Sequence, residues 1–272
     1  MTTVPPLGLA HLAVLEVPPH ELIPMARRAG YAATGLRVAP ASAGGIHYPL
    51  HAANERAEVK RRLAGEGMRI AEVEFVPLTE ATRVEDYEWM MELGQELGAT
   101  SVTVAGDDAD FDRLAGTFGA FCDLARRYGL WVDIEFMRWR PVATLENAFE
   151  IVTRAARQNG GILIDALHLF RAGGSAAALA RIDRKFIRNV QLCDAPLVLP
   201  DNLTVIDEAR GARLPTGEGE LPLGDVMDAL PPGVALAVEV PLTLNRPELA
   251  PFDRIRVGYE ATAKFLAGRA QQ

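Results

Sequence analysis

Four short, largely apolar runs, from residue 132 onward, each carry a carboxylate or amide side chain at or near the end. VDIEF (132–136) holds Glu135, GGILID (160–165) ends in Asp165, NVQLCDA (189–195) holds Gln191, and ALAVEV (235–240) holds Glu239. An ionised carboxylate left unpaired among apolar neighbours costs several kcal/mol. Three carboxylates aimed at one point would also repel one another. A divalent cation resolves both costs. Three carboxylates and an amide oxygen form an all-oxygen set suited to Mg2+ or Mn2+, with Co2+ a third candidate. Taken singly, each residue has a plainer explanation: Asp165 as a helix N-cap, Glu135 in an ion pair with Arg138 or Arg140, Gln191 as a hydrogen-bonded core amide. Four consecutive runs built on one pattern favour the metal.

These side chains act together only if the elements that carry them converge. The chain repeats one phrase: an amphipathic helix, a glycine, then a short apolar strand. It is seen in MARRAGYAATGLRV, RRLAGEGMRIAEVEF, MELGQELGATSVTVAG, CDLARRYGLWVDIEF and TRAARQNGGILIDA. The glycines suit the left-handed position that ends a helix, Pro19 suits a first turn, and Asp110 suits an N-cap. Continuous apolar runs are what a parallel sheet buried on both faces requires. Strands are expected near 8–14, 34–38, 70–76, 101–105, 131–136, 162–165, 188–193 and 235–240. Eight such units in 272 residues predict an α/β chain folded as a single (β/α)8 TIM barrel over 1–272, with no linker marking a second domain. An open doubly wound sheet would carry a Gly-rich fingerprint after its first strand, and LAVLEVPPH has none. Two segments fall outside the rhythm, roughly 39–55 and 194–224. Both follow strand C-termini, the face on which barrels build their sites.

The bulk properties narrow the partners. A net charge of −8 argues against nucleic acid or an anionic membrane. The two cysteines, Cys122 and Cys193, suggest no disulfide framework, so a reducing, cytoplasmic setting is expected. MTTVPPLGLAHLAVLEVPP lacks a basic region before its apolar run, so neither a signal peptide nor a membrane span is expected. A small-molecule partner remains. A homo-oligomer stays open, with no apolar outer face marked for it.

The run of residues from Glu135 to Glu239 resembles the xylose isomerase-like TIM barrels, the sugar phosphate isomerase/epimerase group. That superfamily also holds 3-dehydroshikimate dehydratases, inosose dehydratases and endonuclease IV. The resemblance implies one divalent metal held by Glu135, Asp165, Gln191 and Glu239. The epimerase branch has His where this chain has Gln191, whereas Gln there resembles the dehydroshikimate dehydratase branch. Asp165-x-x-His168 and the turn TGEGELPL (216–223) are shared across the superfamily. Arg213, before that turn, is then the candidate to reach the substrate, and Arg210 a weaker one. Five histidines in all, one at a matching position, set the chain apart from the zinc cluster of endonuclease IV.

The implied chemistry is removal of a proton beside a metal-chelated carbonyl to give an enediolate. Glu239 would be the base on one face and Glu135 the acid on the other. His168 would donate to a substrate oxygen or orient Asp165. The leading expectation is an isomerase or epimerase of a small keto-sugar or keto-polyol. A dehydratase of a cyclic hydroxyketone such as 3-dehydroshikimate shares the opening step. It then expels a β-hydroxyl, and EFMRWRPV lacks the His those enzymes carry after the strand-five Glu. A non-catalytic metal-binding barrel is the reading of another class. No Gly-rich phosphate cradle is found, so the substrate is expected to be unphosphorylated.

Weaker signals complete the set. His11, and Glu72 or Glu74 of IAEVEF, are expected near the barrel mouth as substrate contacts, with one of the two glutamates pointing inward. His47, Tyr48 and His51 read as solvated loop residues, and the paired arginines 27–28, 61–62 and 126–127 as complements to helix dipoles.

Overall fold

In the computed structural model, which describes residues 4–270, all eight expected strands form. They are β1 (Leu7–Leu9), β2 (Ala33–Arg37), β3 (Arg69–Leu78), β4 (Ser101–Gly106), β5 (Trp131–Glu135), β6 (Gly160–Asp165), β7 (Ile187–Leu192) and β8 (Ala235–Val238). Each pairs in parallel with the next and β8 pairs with β1, closing the barrel in sequence order. Around the barrel run α1 (Pro19–Ala29), α2 (Ala53–Glu66), α3 (Glu88–Leu97), α4 (Phe111–Arg127), α5 (Leu145–Ala155), α6 (Ala166–Arg171), α7 (Ala176–Leu179), α9 (Leu223–Ala229) and α10 (Pro251–Arg269), while α8 (Val205–Gly211) lies in the long segment after β7. The apolar runs are continuous because their outward residues pack under helices while part of the inward set fills the barrel. Among the described residues, no helix is long and apolar enough to cross a membrane. Met1–Thr3, where the N-terminal reading begins, lie outside the described residues.

Helix ends follow the expected chemistry, with one exception. Pro19 opens α1, and Asp110 caps α4 by accepting from the Asp112 and Arg113 amides at 3.1 and 3.0 Å. Gly30, Gly67 and Gly98 close α1, α2 and α3 in the left-handed region. α5 instead closes on Ala156, at φ 51°, because Gly160 and Gly161 belong to β6. A Cβ on Gly161 would stand 2.6 Å from Asp133 Oδ1, so the residue is small for packing and not for a turn.

Two expectations about the early strands are corrected. The run 8–14 is strand only to Leu9, and His11–Val14 form a 3-10 turn. The His11 ring holds that turn, bonding Val17 O at 2.9 Å and accepting from Arg37 N at 3.0 Å. On β3 both glutamates point inward, since residues two apart share a strand face. Glu74 pairs with Arg37 at 3.2 Å, and Glu72 accepts from the Thr103 hydroxyl deeper in the barrel.

The segment 194–224 is tied down from two sides. The Arg171 guanidinium of α6 grips Glu208 of α8 at 2.6 and 2.7 Å, and donates to Pro196 O at 2.7 Å and Leu197 O at 3.0 Å. Asp194 accepts from the amides of Ala195, Gly217 and Leu221 at 2.8–3.0 Å. A Cβ on Gly219 would lie 2.4 Å from Asp194 Oδ1, which explains the glycine of TGEGELPL. The loop is therefore a fixed wall over the C-terminal mouth, carrying Arg210 and Arg213.

Candidate active site

Three strand ends and one helix turn meet at that mouth. Asp165 ends β6 and serves two neighbours. Its Oδ1 caps α6 by accepting from His168 N at 2.9 Å, and its Oδ2 meets the Arg213 guanidinium. One carboxylate therefore both caps a helix and faces the pocket's charged groups. Capping fixes the first turn of α6, which brings His168 Nε2 to 3.6 Å from Glu135 Oε1. Ligand atoms of Glu135, Asp165 and His168 all lie within 4.8 Å of one another, and all three residues are buried.

Glu239 follows β8 and stands 2.8 Å from Arg213 Nη2. Arg213 is itself 1% exposed, its Nε donating to Ala209 O at 2.8 Å. A single guanidinium thus bridges two of the four expected ligands. Gln191, level with Asp165 across the β6–β7 register, is 1% exposed, and its Oε1 has no hydrogen-bond partner.

The electrostatics follow from this crowding. Burial pushes the Glu135 carboxyl well up, and the Glu239 and Asp165 carboxylates push the same way. Burial pushes Glu239 up to about 8, against the pull of Arg213. Burial opposes ionisation of Asp165 too, but Arg213 and His168 outweigh it and its pKa falls. Burial lowers His168 to about 4, so the ring is neutral and available to a metal or a substrate oxygen.

Neutral imidazole, mutually repelling carboxylates and an orphaned buried amide oxygen fit a divalent cation. The buried Glu135, Asp165 and His168 triad is placed to hold one; Gln191, with its unsatisfied Oε1, lines the cavity below, together with Glu72. Glu239, expected as a ligand, contacts Arg213 through Oε2, as Asp165 does through Oδ2.

Other expected contacts lie elsewhere. His11 has both ring nitrogens engaged, is stacked on Tyr48 at 5.4 Å, and is lowered to about 4 by burial. It has no atom left for a substrate and supports the turn after β1. Glu72 faces a cavity of about 200 Å3 at the N-terminal end of the barrel, away from the mouth. Arg140 pairs with Asp107 rather than Glu135, and Arg138 is exposed. Cys122 and Cys193 are free and buried, as expected of unpaired thiols.

The walls of the pocket are groups that the strand-end pattern did not single out. Arg37, Glu74, Phe75, Met137 and Trp139 line it together with Glu135, His168, Arg140, Arg210, Arg213 and Glu239. Trp139 stands edge-on to His168, with ring centroids 5.1 Å apart. An arginine ending one apolar strand beside a glutamate on the next was the available signal for Arg37 and Glu74.

Comparison with known proteins agrees with this architecture. Residues 23–251 match the family model described as xylose isomerase-like TIM barrel. A 3-dehydroshikimate dehydratase of Pseudomonas aeruginosa is 31% identical over 161 residues, which is 58% of this chain and 24% of that protein. The chain thus spans about a quarter of the length of the curated relatives it matches. Among solved structures, an IolI protein with a bound zinc atom superposes with a TM-score of 0.80 at 18% identity, covering 97% of this chain and 98% of that one. A probable 3-DHS dehydratase, AsbF of Bacillus anthracis, does so with a TM-score of 0.75 at 15% identity, covering 94% and 98%. At these identities the structural likeness establishes the fold.

Proposed function

The chain belongs to the xylose isomerase-like TIM barrel family, and within that family we propose that it is a divalent-metal-dependent dehydratase of a small cyclic hydroxyketone of the 3-dehydroshikimate type. The observation that carries this reading is the meeting of His168 with Glu135, at 3.6 Å, in the pocket that Glu239 also lines. Epimerisation needs two opposed proton-handling groups. Dehydration needs a base and, in addition, a donor at the leaving hydroxyl. Protonated Glu135 is that donor, and the α6 turn sets His168 beside it in place of the histidine missing after the strand-five glutamate. The sequence likeness to the Pseudomonas dehydratase supports the same choice.

Glu135, Asp165 and His168 would hold the cation, with Gln191 beneath. When bound, it supplies polarisation of the substrate carbonyl. Glu239 takes the proton on the carbon beside that carbonyl. A carboxyl displaced upward toward neutrality is suited to both accepting and returning protons. Glu135, also displaced upward, returns a proton to the departing β-hydroxyl, and the ring of His168 orients that hydroxyl. One hydroxyketone then yields one conjugated ketone and one water. Trp139, Phe75 and Met137 provide apolar walls against which a ring can lie.

The second reading, a 3-epimerase of a keto-sugar, is favoured by the same two glutamates lining one pocket. The deciding experiment loads the protein with Mn2+, Mg2+, Co2+ or Zn2+ and incubates it in D2O with 3-dehydroshikimate, inososes and ketohexoses, read by NMR after the metal is stripped. An aromatic dihydroxybenzoate from 3-dehydroshikimate, lost in Glu239→Gln, is the expected result. Deuterium beside the carbonyl of a ketose with a new stereoisomer, and no aromatic product, overturns the dehydratase in favour of the epimerase.

A further inference from the structure

Beneath the mouth, the lower half of the barrel holds a second group of buried polar side chains that the reaction does not use. Glu72 of β3 accepts from the Thr103 hydroxyl of β4. Asp133 of β5 accepts from the Asn189 amide of β7, which also donates to Ser101 Oγ at 3.3 Å. Two acceptors in this group, Asp133 Oδ1 and Gln191 Oε1, have no hydrogen-bond partner among the described residues. The charges do not cancel either. Burial pushes the Glu72 carboxyl up to about 8, and Glu74 and Asp133 push the same way. Arg37, near enough to act on Glu72, pairs with Glu74 instead.

Glu72, Asn189 and Gln191 line the cavity of about 200 Å3 at the N-terminal end of the barrel. The space exists because Gly8, Ala33, Ala235 and Ala237 line it where barrel interiors ordinarily carry Val, Ile or Leu. A Cβ on Gly8 would stand 3.5 Å from Ala237 Cβ, an ordinary contact, so packing does not demand that glycine. Leu7, Ile70, Leu163 and Leu236 make the lining largely hydrocarbon. A cavity of about 150 Å3 takes one benzene ring, so this one has room for a ring with a short polar arm. A bare inorganic cation would leave the hydrocarbon uncovered. Arg69, the other charged residue of the lining, stands at the exposed rim, where water and salt screen it. Gln191 is level with Asp165 and so separates the cavity from the mouth, and an amide oxygen has a lone pair for each side.

We propose that this cavity is a second ligand site, which takes a small primary amine as its ammonium, the head on Glu72 and Gln191 Oε1 and an apolar body against Ile70 and the leucines. An ammonium brings three N–H donors and the positive charge that these buried acceptors lack. The site lies at the end of the barrel opposite the mouth, so its occupant does not compete with the substrate. It holds whether the reaction at the mouth is dehydration or epimerisation.

The test titrates three probes into the Mg2+-loaded protein by calorimetry at about pH 8, where Glu72 is half ionised: benzylamine, uncharged benzyl alcohol and potassium ion. A charge-assisted contact predicts that the amine binds on the order of 10- to 100-fold tighter than the alcohol. Glu72→Gln, which keeps the side-chain shape, abolishes that preference. In the wild type the methyl NMR signals of Ile70 and Leu163 shift on adding the amine, and that of Met137 at the mouth does not. Amine and alcohol binding alike, including neither binding, overturns the proposal, as does a preference that survives in Glu72→Gln. Shifts at Met137 without shifts at Ile70 place the amine on the mouth carboxylates and overturn it too. Binding of potassium that Glu72→Gln abolishes, with none of benzylamine, replaces the organic ligand by an inorganic cation. Should Glu72→Gln fail to fold, the amine–alcohol comparison and the shift map in the wild type decide.

Discussion

Replacing Arg213 by Met removes the one group that neutralises both Asp165 and Glu239 while keeping most of the side-chain volume. Those carboxylates are 0% and 3% exposed, so water cannot take over. Removing one partner of a buried ion pair costs about 3–5 kcal/mol, because the other charge is left behind. Unfolding entropy near 2.1 cal/mol/K per residue gives about 0.57 kcal/mol/K for 272 residues. The expected fall in melting temperature is therefore about 5–9 °C in the presence of EDTA. Excess Mn2+ supplies the missing positive charge, so the metal-induced rise in melting temperature is larger in the variant than in the wild type. Lowering the pH to about 5 also narrows the gap, since protonating the stranded carboxyls removes their charge. Thermal unfolding followed by circular dichroism, with EDTA and with Mn2+, reads all three effects. A variant as stable as the wild type in EDTA, or one with the same metal-induced shift, would refute the view of Arg213 as the internal counter-cation of the site.

Gln191→Leu weakens Mn2+ binding roughly 10- to 100-fold by calorimetry without lowering the metal-free melting temperature, because the orphaned Oε1 contributes no bond to the fold. Equal metal affinity would remove Gln191 from the site. Glu72 is raised to about 8 by burial, so the folded state keeps a proton that the unfolded chain releases above about pH 4.3. The folded state binds more protons between those values, and stability falls as pH rises, by about 1.4 kcal/mol per pH unit for each such group. Glu72→Gln therefore flattens the decline in urea midpoint from pH 5 to pH 8, and an unchanged slope contradicts the assignment. His11→Ala loses about 2–4 kcal/mol of stability from two buried hydrogen bonds and the space left behind, with KM unchanged. A raised KM with intact stability would return His11 to the substrate pocket.

The eight strands and their order were legible because a parallel strand buried on both faces has no room for polar residues except where the chain needs them. Glu135, Asp165, Gln191 and Glu239 stand out against Val, Ile and Leu, and Asp165-x-x-His168 is a local spacing that one helical turn converts into proximity. Helix caps such as Asp110 and Pro19 are local as well. What the chain order could not disclose was which charges would meet from distant segments. Arg213 lies 48 residues beyond Asp165, and the bridge between them depends on how the segment 194–224 is gripped by Arg171 and Asp194. That bridge joins Glu239, like Asp165, to a guanidinium. Likewise His11 reads as a mouth residue until the packing of Arg37 and Val17 uses both its nitrogens. A side chain's type and local spacing are written along the chain, but its protonation and its free valence are set by long-range neighbours, which only the closed barrel brings within a few ångströms.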